Sequence, residues 1–183
     1  REPLPAMSAA LRAPSQPLPA PAGTLRVTGR YLCVEGEGRT LGAATFLLRL
    51  SGCDLRCWWC DSKQSSFRED EARERPWRSV LAAALASGAG WLSLSGGEPT
   101  WRGPAELRSL AALCRAARKQ GLRIKIESNG LRLPPELDGL VDLWSVAPKF
   151  DSKVGSQTAA MHYDSRVLRR LLRLQGPSGL QLK

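Results

Sequence analysis

The feature that most constrains this chain is a group of three cysteines in one short segment. Cys53, Cys57 and Cys60 have the spacing C-x3-C-x2-C and directly follow the apolar stretch Ala44–Leu50. Thiolates favour thiophilic metals over Mg²⁺ or Ca²⁺. Structural zinc sites and ordinary iron–sulfur clusters are normally held by four protein ligands. Three thiols therefore predict a metal centre that keeps one position open for chemistry.

Other interpretations of this segment remain open from spacing alone. A zinc site could be completed by Cys33, Cys114 or His162. A disulfide is less favoured, because five cysteines are an odd number and no export signal marks the chain. Cys114 lies on the apolar stripe of a predicted helix, so we expect it in the core. Thiols without an export signal indicate a reducing compartment, and we expect the cytoplasm.

Composition limits the class of protein. The chain has 183 residues, enough for one domain with a substantial core, and no apolar run approaches the about 18 residues that span a bilayer. Residues 1–23 are rich in proline and alanine and predict a disordered leader, so the core domain is expected at 24–183. The net charge is +10, but the basic residues are scattered. We therefore expect an anionic small molecule rather than nucleic acid as the main ligand.

Strand and helix patterns alternate along the core domain. Residues 64–77 are polar and predict an exposed connection, and Leu180–Lys183 has the pattern of a strand that is just beginning. The predicted strands lie at 25–31, 44–50, 91–95, 122–127 and 140–146, and the predicted helices at 79–87, 104–120 and 167–174. This alternation predicts an α/β fold with a mainly parallel sheet and outer helices, as in an open or partial TIM-type barrel. Active sites in such folds lie in the loops after the strands.

Two further motifs follow predicted strands. Ser95–Pro99 reads SGGEP, and Glu127–Gly130 reads ESNG. Either one alone would indicate only a tight turn. In this order after the three cysteines, they make the chain resemble the radical S-adenosylmethionine (SAM) superfamily. In that superfamily the open iron of a 4Fe-4S cluster chelates SAM and cleaves it reductively to a 5′-deoxyadenosyl radical.

Within that superfamily the chain resembles the 7-carboxy-7-deazaguanine synthases. The motifs that carry this resemblance are VEGEG at 34–38, Arg49, CDS at 60–62 and APK at 147–149. The resemblance runs from about residue 25 to the C-terminus. It implies a lyase that converts 6-carboxy-5,6,7,8-tetrahydropterin to 7-carboxy-7-deazaguanine with loss of ammonia, on the route to queuosine. It also implies a 4Fe-4S cluster, SAM and Mg²⁺ as cofactors, a homodimer, and a reductant such as a flavodoxin.

The resemblance assigns roles residue by residue and implies no protein acid or base. The cluster ligands would be Cys53, Cys57 and Cys60, and Ser62 would bind Mg²⁺. The residues at SAM would be Trp59, Cys60, Asp61, Gly97, Glu98, Glu127, Ala147, Pro148 and Lys149. The pterin would meet Val34, Glu35, Gly36, Arg49 and Ser95, with the Arg49 guanidinium on the substrate carboxylate.

The chain departs from the family pattern at three of these positions. Glu35 stands where glutamine is usual, Ser62 where threonine is usual, and Ala147 where serine is usual. Glu35 adds a negative charge beside an anionic substrate. Family members also continue past the last residue with a further strand, so we expect a fold truncated at the C-terminus and poorly coupled radical chemistry. The alternative functions are another radical SAM activity, such as a protein activase, and a zinc-clasp module that binds nucleic acid.

Overall fold

A computed structural model describes residues 16–154, 157–162, 164–176 and 178–183, with no side-chain description at 150–162. Residues 1–15 of the predicted leader lie outside this range. The strands are Thr24–Val34 (β1), Ala44–Leu50 (β2), Arg73–Pro76 (β3), Trp91–Gly96 (β4), Arg123–Ser128 (β5), Leu143–Val146 (β6), Lys149–Val154 (β7), Gln157–His162 (β8) and Leu180–Leu182 (β9). The α-helices are Lys63–Ser66 (α1), Trp77–Ala86 (α2), Pro104–Lys119 (α3) and Ser165–Gln175 (α4).

A seven-stranded open sheet organises the chain, in the order β3-β1-β2-β4-β5-β6-β9. The pairs from β2 to β9 are all parallel, whereas β1 pairs antiparallel with both β2 and β3. Strands β7 and β8 form a separate antiparallel pair. The expectation of an α/β fold with a mainly parallel, unclosed sheet and outer helices is confirmed.

Apolar runs of strand length become the central strands, because a parallel sheet is covered on both faces. Strand β2 occupies the predicted range, and Leu48 and Leu50 are fully buried. In β4 the first four residues are all buried. In β5 Ile124 and Ile126 point into the helix-covered core. These strands bring their carboxyl ends to one edge of the sheet.

The helices cover the apolar face of this sheet. Helix α3 begins at Pro104, whose fixed φ suits the first helical position. Its buried stripe includes Leu110, Leu113 and Cys114, which confirms the expected core position of Cys114. Helix α2 packs beside α3 through Val80 and Ala84. The described part of the chain contains no helix long and apolar enough to cross a membrane.

Residues 64–77 are mostly exposed or half-buried, as predicted, but they are not a plain connection. This segment contains most of α1 and all of β3, which pairs with β1 from Thr24 to Val27. Ser65 and Ser66 are buried beneath the cysteine segment. Polar composition misled the prediction, because these buried groups are satisfied by hydrogen bonds; the Ser65 carbonyl, for example, accepts from the Gly52 N–H at 2.7 Å.

Candidate active site

A cavity of about 490 Å³ lies at the carboxyl edge of the parallel strands. That location is where open parallel sheets bind their ligands. All predicted site residues except Pro148 line it, although they come from segments more than 100 residues apart. They are Val34, Glu35, Gly36, Arg49, Cys53, Cys57, Trp59, Cys60, Asp61, Ser62, Ser95, Gly97, Glu98, Glu127, Ala147 and Lys149.

The cysteine segment follows β2 and is organised by one buried guanidinium. Arg56 donates hydrogen bonds to the carbonyls of Cys53 at 2.9 Å and of Leu55 and Ser66 at 3.2 Å. The Cys60 N–H closes a turn onto the Cys57 carbonyl at 3.1 Å. Arg56 thus joins the start of the segment to the end of α1. The sequence prediction missed this role, because arginine is mostly exposed in proteins.

The three thiols line the same wall of the cavity and differ in surroundings. Burial, followed by the nearby carboxylates of Asp54 and Glu98, raises the pKa of the Cys53 thiol well above its usual value. The Cys60 sulfur lies 3.7 Å from the Ser62 hydroxyl and 3.6 Å from the Ser66 hydroxyl. A bound metal would counter the effect on Cys53, since coordination deprotonates a thiol.

The donor set fits a cluster better than a single ion. Among the described residues, no three His, Cys, Asp or Glu side chains are grouped closely enough to hold one metal ion. A structural zinc site needs four ligands about 2.0–2.3 Å from one metal. In a cluster, by contrast, each cysteine binds its own iron, so the three sulfurs stay apart. Cys114, one proposed zinc partner, is buried in the core on α3.

A turn containing Gly97 packs directly on the start of the cysteine segment. The Gly97 N–H donates to the Leu50 carbonyl at 2.8 Å, and the Glu98 N–H donates to the Gly52 carbonyl at 2.8 Å. A Cβ at position 97 would collide with the Gly52 carbonyl. Arg102 closes the same joint by donating to the carbonyls of Ser51, Gly52 and Glu98. Glycine at 97 is thus required by close backbone approach.

The Glu98 carboxylate is buried and connects the Gly97 turn to the turn after β5. It accepts hydrogen bonds from the Thr100 N–H at 2.9 Å, the Thr100 hydroxyl at 2.7 Å, the Ser128 hydroxyl at 2.9 Å and the Asn129 N–H at 2.7 Å. An ionised carboxylate has about four acceptor sites. Oε1 accepts three of these bonds and Oε2 one, so most of the acceptor capacity of Glu98 is used within the protein.

Asp54 connects the cysteine segment to the turn after β5. One carboxylate oxygen accepts from the Asn129 side-chain amide at 2.8 Å, and the other accepts from Arg132 Nε at 3.1 Å. With the contacts of Glu98, this gives a continuous polar network through three loops. Asp54, Glu98 and Asn129 are buried and fix the loops relative to one another, whereas Arg132 is half-exposed. The sequence prediction missed Asp54, Asn129 and Arg132 because their partners are distant in the chain.

The opposite wall carries Arg49 and Ser95, on neighbouring strands β2 and β4. Arg49 Nε is buried and has no hydrogen-bond partner among the described residues. A buried donor without a partner is costly, and an anionic ligand would satisfy it. The Ser95 hydroxyl donates to Glu127 Oε2 at 2.8 Å. Burial opposes ionisation of Glu127, but Lys183, Ser95 and Lys125 together lower the pKa of its carboxyl.

Lys125 lies at the base of this wall and was missed as a site residue. Its ammonium lies 2.9 Å from Glu35 Oε2 and 3.0 Å from Glu127 Oε1. Lys125 alternates with Ile124 and Ile126 in the predicted strand, and such alternation does not tell a solvent-facing side from one that faces a polar cavity. In this fold the side that carries Lys125 lines the interior at the cavity, so Lys125 is fully buried.

The mouth of the cavity carries an aromatic ring and a lysine. Lys149 Nζ lies 5.6 Å from the centre of the Trp59 ring, within the range of a cation–π contact. The Ala147 N–H donates to the Ser128 carbonyl at 2.9 Å, which joins this segment to the turn after β5. The Ser62 hydroxyl donates to the Gly96 carbonyl at 3.2 Å.

Comparison with known proteins identifies similar chains. A 7-carboxy-7-deazaguanine synthase from Pyrobaculum aerophilum is 36% identical over 70% of this chain and 56% of its own length. The synthase from Rhodopirellula baltica is 29% identical over 81% of this chain and 56% of its own length. The crystal structure of QueE from Escherichia coli matches with a TM-score of 0.61 and 22% identity, over 80% of this chain and 67% of that chain. The last likeness concerns the fold.

The chain spans about half the length of the curated relatives it matches. A family model described as "Radical SAM superfamily" matches residues 47–152. That match includes the cysteine segment, the Gly97 turn and the turn after β5, which form most of the cavity wall. Because the matched region is more than half of the chain, the protein belongs to the radical SAM superfamily.

Proposed function

We propose that this protein is a 7-carboxy-7-deazaguanine synthase, a lyase that converts 6-carboxy-5,6,7,8-tetrahydropterin to 7-carboxy-7-deazaguanine with loss of ammonia. One observation carries the proposal: the cysteine segment, the Gly97 turn and the Arg49–Ser95 wall enclose a single cavity. The predicted metal ligands and a recess for a small anion therefore adjoin one another. The named relatives support this choice over other radical SAM activities.

Radical SAM enzymes use a 4Fe-4S cluster and SAM, which together supply a 5′-deoxyadenosyl radical when bound. In our proposal Cys53, Cys57 and Cys60 hold the cluster. Their position on the lining of one cavity supports this role. Arg56 stabilises the segment by donating hydrogen bonds to two of its carbonyls and to the Ser66 carbonyl of α1.

SAM would lie between the cysteine segment and the turns after β4, β5 and β6. We assign its contacts to Trp59, Cys60, Asp61, Gly97, Glu127, Ala147, Pro148 and Lys149. Glu98 was predicted to contact SAM directly, and that contact stays a prediction. Its four hydrogen bonds support a second role, in which it holds the Gly97 turn against the turn after β5.

The pterin would lie against the Arg49–Ser95 wall, with Val34, Glu35 and Gly36 along its ring edge. The unsatisfied Nε of Arg49 supports a contact with the substrate carboxylate, since a guanidinium binds a carboxylate through two parallel hydrogen bonds. Ser95 would exchange its bond to Glu127 for one to the pterin, or bond both. No protein side chain is needed as an acid or base in this assignment.

We further propose that Mg²⁺ binds at Ser62 together with the substrate. Mg²⁺ accepts few protein ligands when substrate and water complete its octahedron. Ser62 lines the cavity, and its hydroxyl is held by the Gly96 carbonyl. Ser62→Ala should abolish the stimulation of turnover by Mg²⁺ and leave iron content unchanged. Stimulation that persists in this variant would remove Ser62 from the metal site.

The decisive experiment is anaerobic reconstitution of residues 1–183, followed by incubation with SAM, reductant and 6-carboxytetrahydropterin and mass analysis of the products. We expect labile sulfide with iron, and weak formation of 7-carboxy-7-deazaguanine that requires SAM. SAM cleavage without this product would support a different radical SAM activity. Zinc without labile sulfide would support the zinc-clasp alternative. A homodimer, a flavodoxin-type reductant and a cytoplasmic location also belong to this proposal.

A further inference from the structure

A fully buried lysine connects two walls of the cavity. Lys125 lies in the middle of β5, and its ammonium pairs with Glu35 after β1 at 2.9 Å and with Glu127 at 3.0 Å. Strands β1 and β5 are separated by β2 and β4. The lysine therefore links the segment 34–36 to the far side of the site. Lysines are almost never fully buried unless they are paired.

The Glu35 segment is held from two directions. Its backbone bonds the turn before β2, since the Glu35 N–H donates to the Ala43 carbonyl and the Gly42 N–H donates to the Glu35 carbonyl, each at 2.9 Å. Its side chain is held by Lys125. Loss of the lysine would leave only the backbone contacts. The backbone of residues 34–36 along the cavity would then be less restrained.

The charges on this wall balance one another. Glu35, Glu37 and Glu127 carry the negative charges, and Lys125, Lys183 and Arg49 carry the positive ones. Lys183 pairs with Glu37 and lies 3.4 Å from Glu127. Removing the charge of Lys125 would leave one excess carboxylate in a partly buried site. That excess would repel an anionic ligand.

We infer that Lys125 is a positioning residue for the pterin, an inference that rests on the proposed function. Together with Glu35 it forms an ion pair at 2.9 Å with no net charge, at a position where the resembled family usually has glutamine. The ion pair fixes the segment 34–36 against the ring edge and keeps the wall neutral for the substrate carboxylate. The charge that Glu35 adds to the site is thus compensated from β5.

The test is equilibrium binding of 6-carboxytetrahydropterin and, separately, of SAM to the anaerobically reconstituted chain. Lys125→Met should weaken pterin binding about tenfold or more, as expected for an unpaired buried charge, and any change in SAM binding, which would act through Glu127, should not be recovered by Glu35→Gln. Adding Glu35→Gln to Lys125→Met should recover most of the loss. Lys119→Met, at the solvent-exposed end of α3, is the matched control and should change neither affinity.

Two results would overturn the inference while the proposed function stands. One is unchanged pterin affinity in Lys125→Met, and the other is a double variant that binds as weakly as the single one. A wild-type chain that binds no pterin would overturn the proposed function itself. If the Met variant does not fold, Lys125→Gln with and without Glu35→Gln carries the same comparison, because its amide still donates a hydrogen bond.

Discussion

At the scale of single residues, two buried cysteines have opposite surroundings. Cys57 lines the cavity, whereas Cys114 is enclosed by apolar side chains on α3. Burial raises the pKa of the Cys114 thiol to about 12, and its sulfur lies in the apolar core rather than on the cavity where a metal would bind. Cys57→Ala should reduce reconstituted iron to below roughly a quarter of wild type, because one of three ligands is lost.

Cys114→Ala is the matched comparison for that experiment. It removes a buried sulfur and should cost about 1–2 kcal/mol of unfolding free energy while iron content stays at the wild-type level. Iron and labile sulfide would be measured by colorimetric assay, and stability by urea denaturation. Equal loss of iron in both variants would contradict the assignment of Cys114 to the core.

Arg49→Lys tests whether the guanidinium binds the substrate carboxylate. An ammonium cannot reproduce two parallel hydrogen bonds, so this change is not conservative. Pterin affinity should weaken by about 1.5–3 kcal/mol, the value of a hydrogen bond to a charged group, while uncoupled SAM cleavage persists. Arg30→Lys, on the exposed face of β1, is the control. Unchanged pterin affinity in Arg49→Lys would remove Arg49 from the substrate site.

The residues that sequence could assign differ from those it missed in one respect. Those carried by motifs, such as Gly97 and Arg49, were predicted to lie at the site, and all but Pro148 line the cavity. Lys125, Arg56 and Asp54 act through partners chosen by the folded chain. Their role depends on which side of a strand or loop faces the interior. Alternation alone does not distinguish a strand face toward solvent from one toward a polar cavity.

At the scale of elements, the site depends on the contact between two turns. The Gly97 turn lies so close to Gly52 that a Cβ would collide with a backbone carbonyl. Gly97→Ala should therefore lower the unfolding free energy by about 1–3 kcal/mol, as overpacking does, and reduce SAM binding. Thermal unfolding and calorimetric titration with SAM would measure the two effects.

Gly90→Ala is the control at the opposite end of β4. No atom lies within 4 Å of a Cβ at that position. The substitution should be neutral or stabilise by about 0.4–1 kcal/mol, because alanine restricts the unfolded chain. Equal stability of Gly97→Ala and Gly90→Ala would mean that the Gly97 turn can move away from Gly52 without cost. The close approach would then not be what requires glycine at position 97.

Elements with strong periodicity were predictable, and weakly patterned ones were not. Strand β2 and helix α3 have a continuous apolar run and an amphipathic stripe, and both lie within about a residue of the predicted limits. Strand β3 has the sequence RERP, which has no apolar alternation. It forms because β1 offers a free edge from Thr24 to Val27. Tertiary pairing, rather than local propensity, produces such a strand.

At the scale of the whole molecule, the buried apolar residues and the buried charged residues lie in different parts of the fold. The helices cover an apolar core, whereas the carboxyl edge of the sheet holds buried charges such as Lys125, Glu98 and Arg102. Strand and helix alternation could predict the layers and the edge where the site lies. It could not predict the buried ion pairs, because each joins segments that only the complete fold brings together.

Arg102 links these two parts of the fold, and its removal has a pH-dependent consequence. It bonds the site loops and lies 3.8 Å from Glu106 in α3, which also accepts the Arg26 N–H of β1 at 2.8 Å. Arg102→Leu would leave Glu106 buried without its counter-ion. The expected cost at pH 7.5 is about 3–5 kcal/mol, the usual effect of breaking a buried pair. Arg108→Leu, on the exposed side of α3, should change stability by about 0.5 kcal/mol or less.

The sign of the pH dependence follows from Glu106. Burial raises the pKa of its carboxyl, and Arg102 is the largest influence that lowers it. Without Arg102 the pKa in the folded variant rises further above that of the unfolded chain, so the folded variant binds the extra proton. Its stability relative to wild type should therefore increase as the pH falls from 7.5 to 5. Urea denaturation at both pH values should give a smaller loss of unfolding free energy, relative to wild type, at pH 5 than at pH 7.5. The loss that remains at pH 5 would come from the missing hydrogen bonds to the loop carbonyls. A loss of the same size at both pH values would mean that those carbonyl bonds, and not the charge left on Glu106, account for the effect of Arg102.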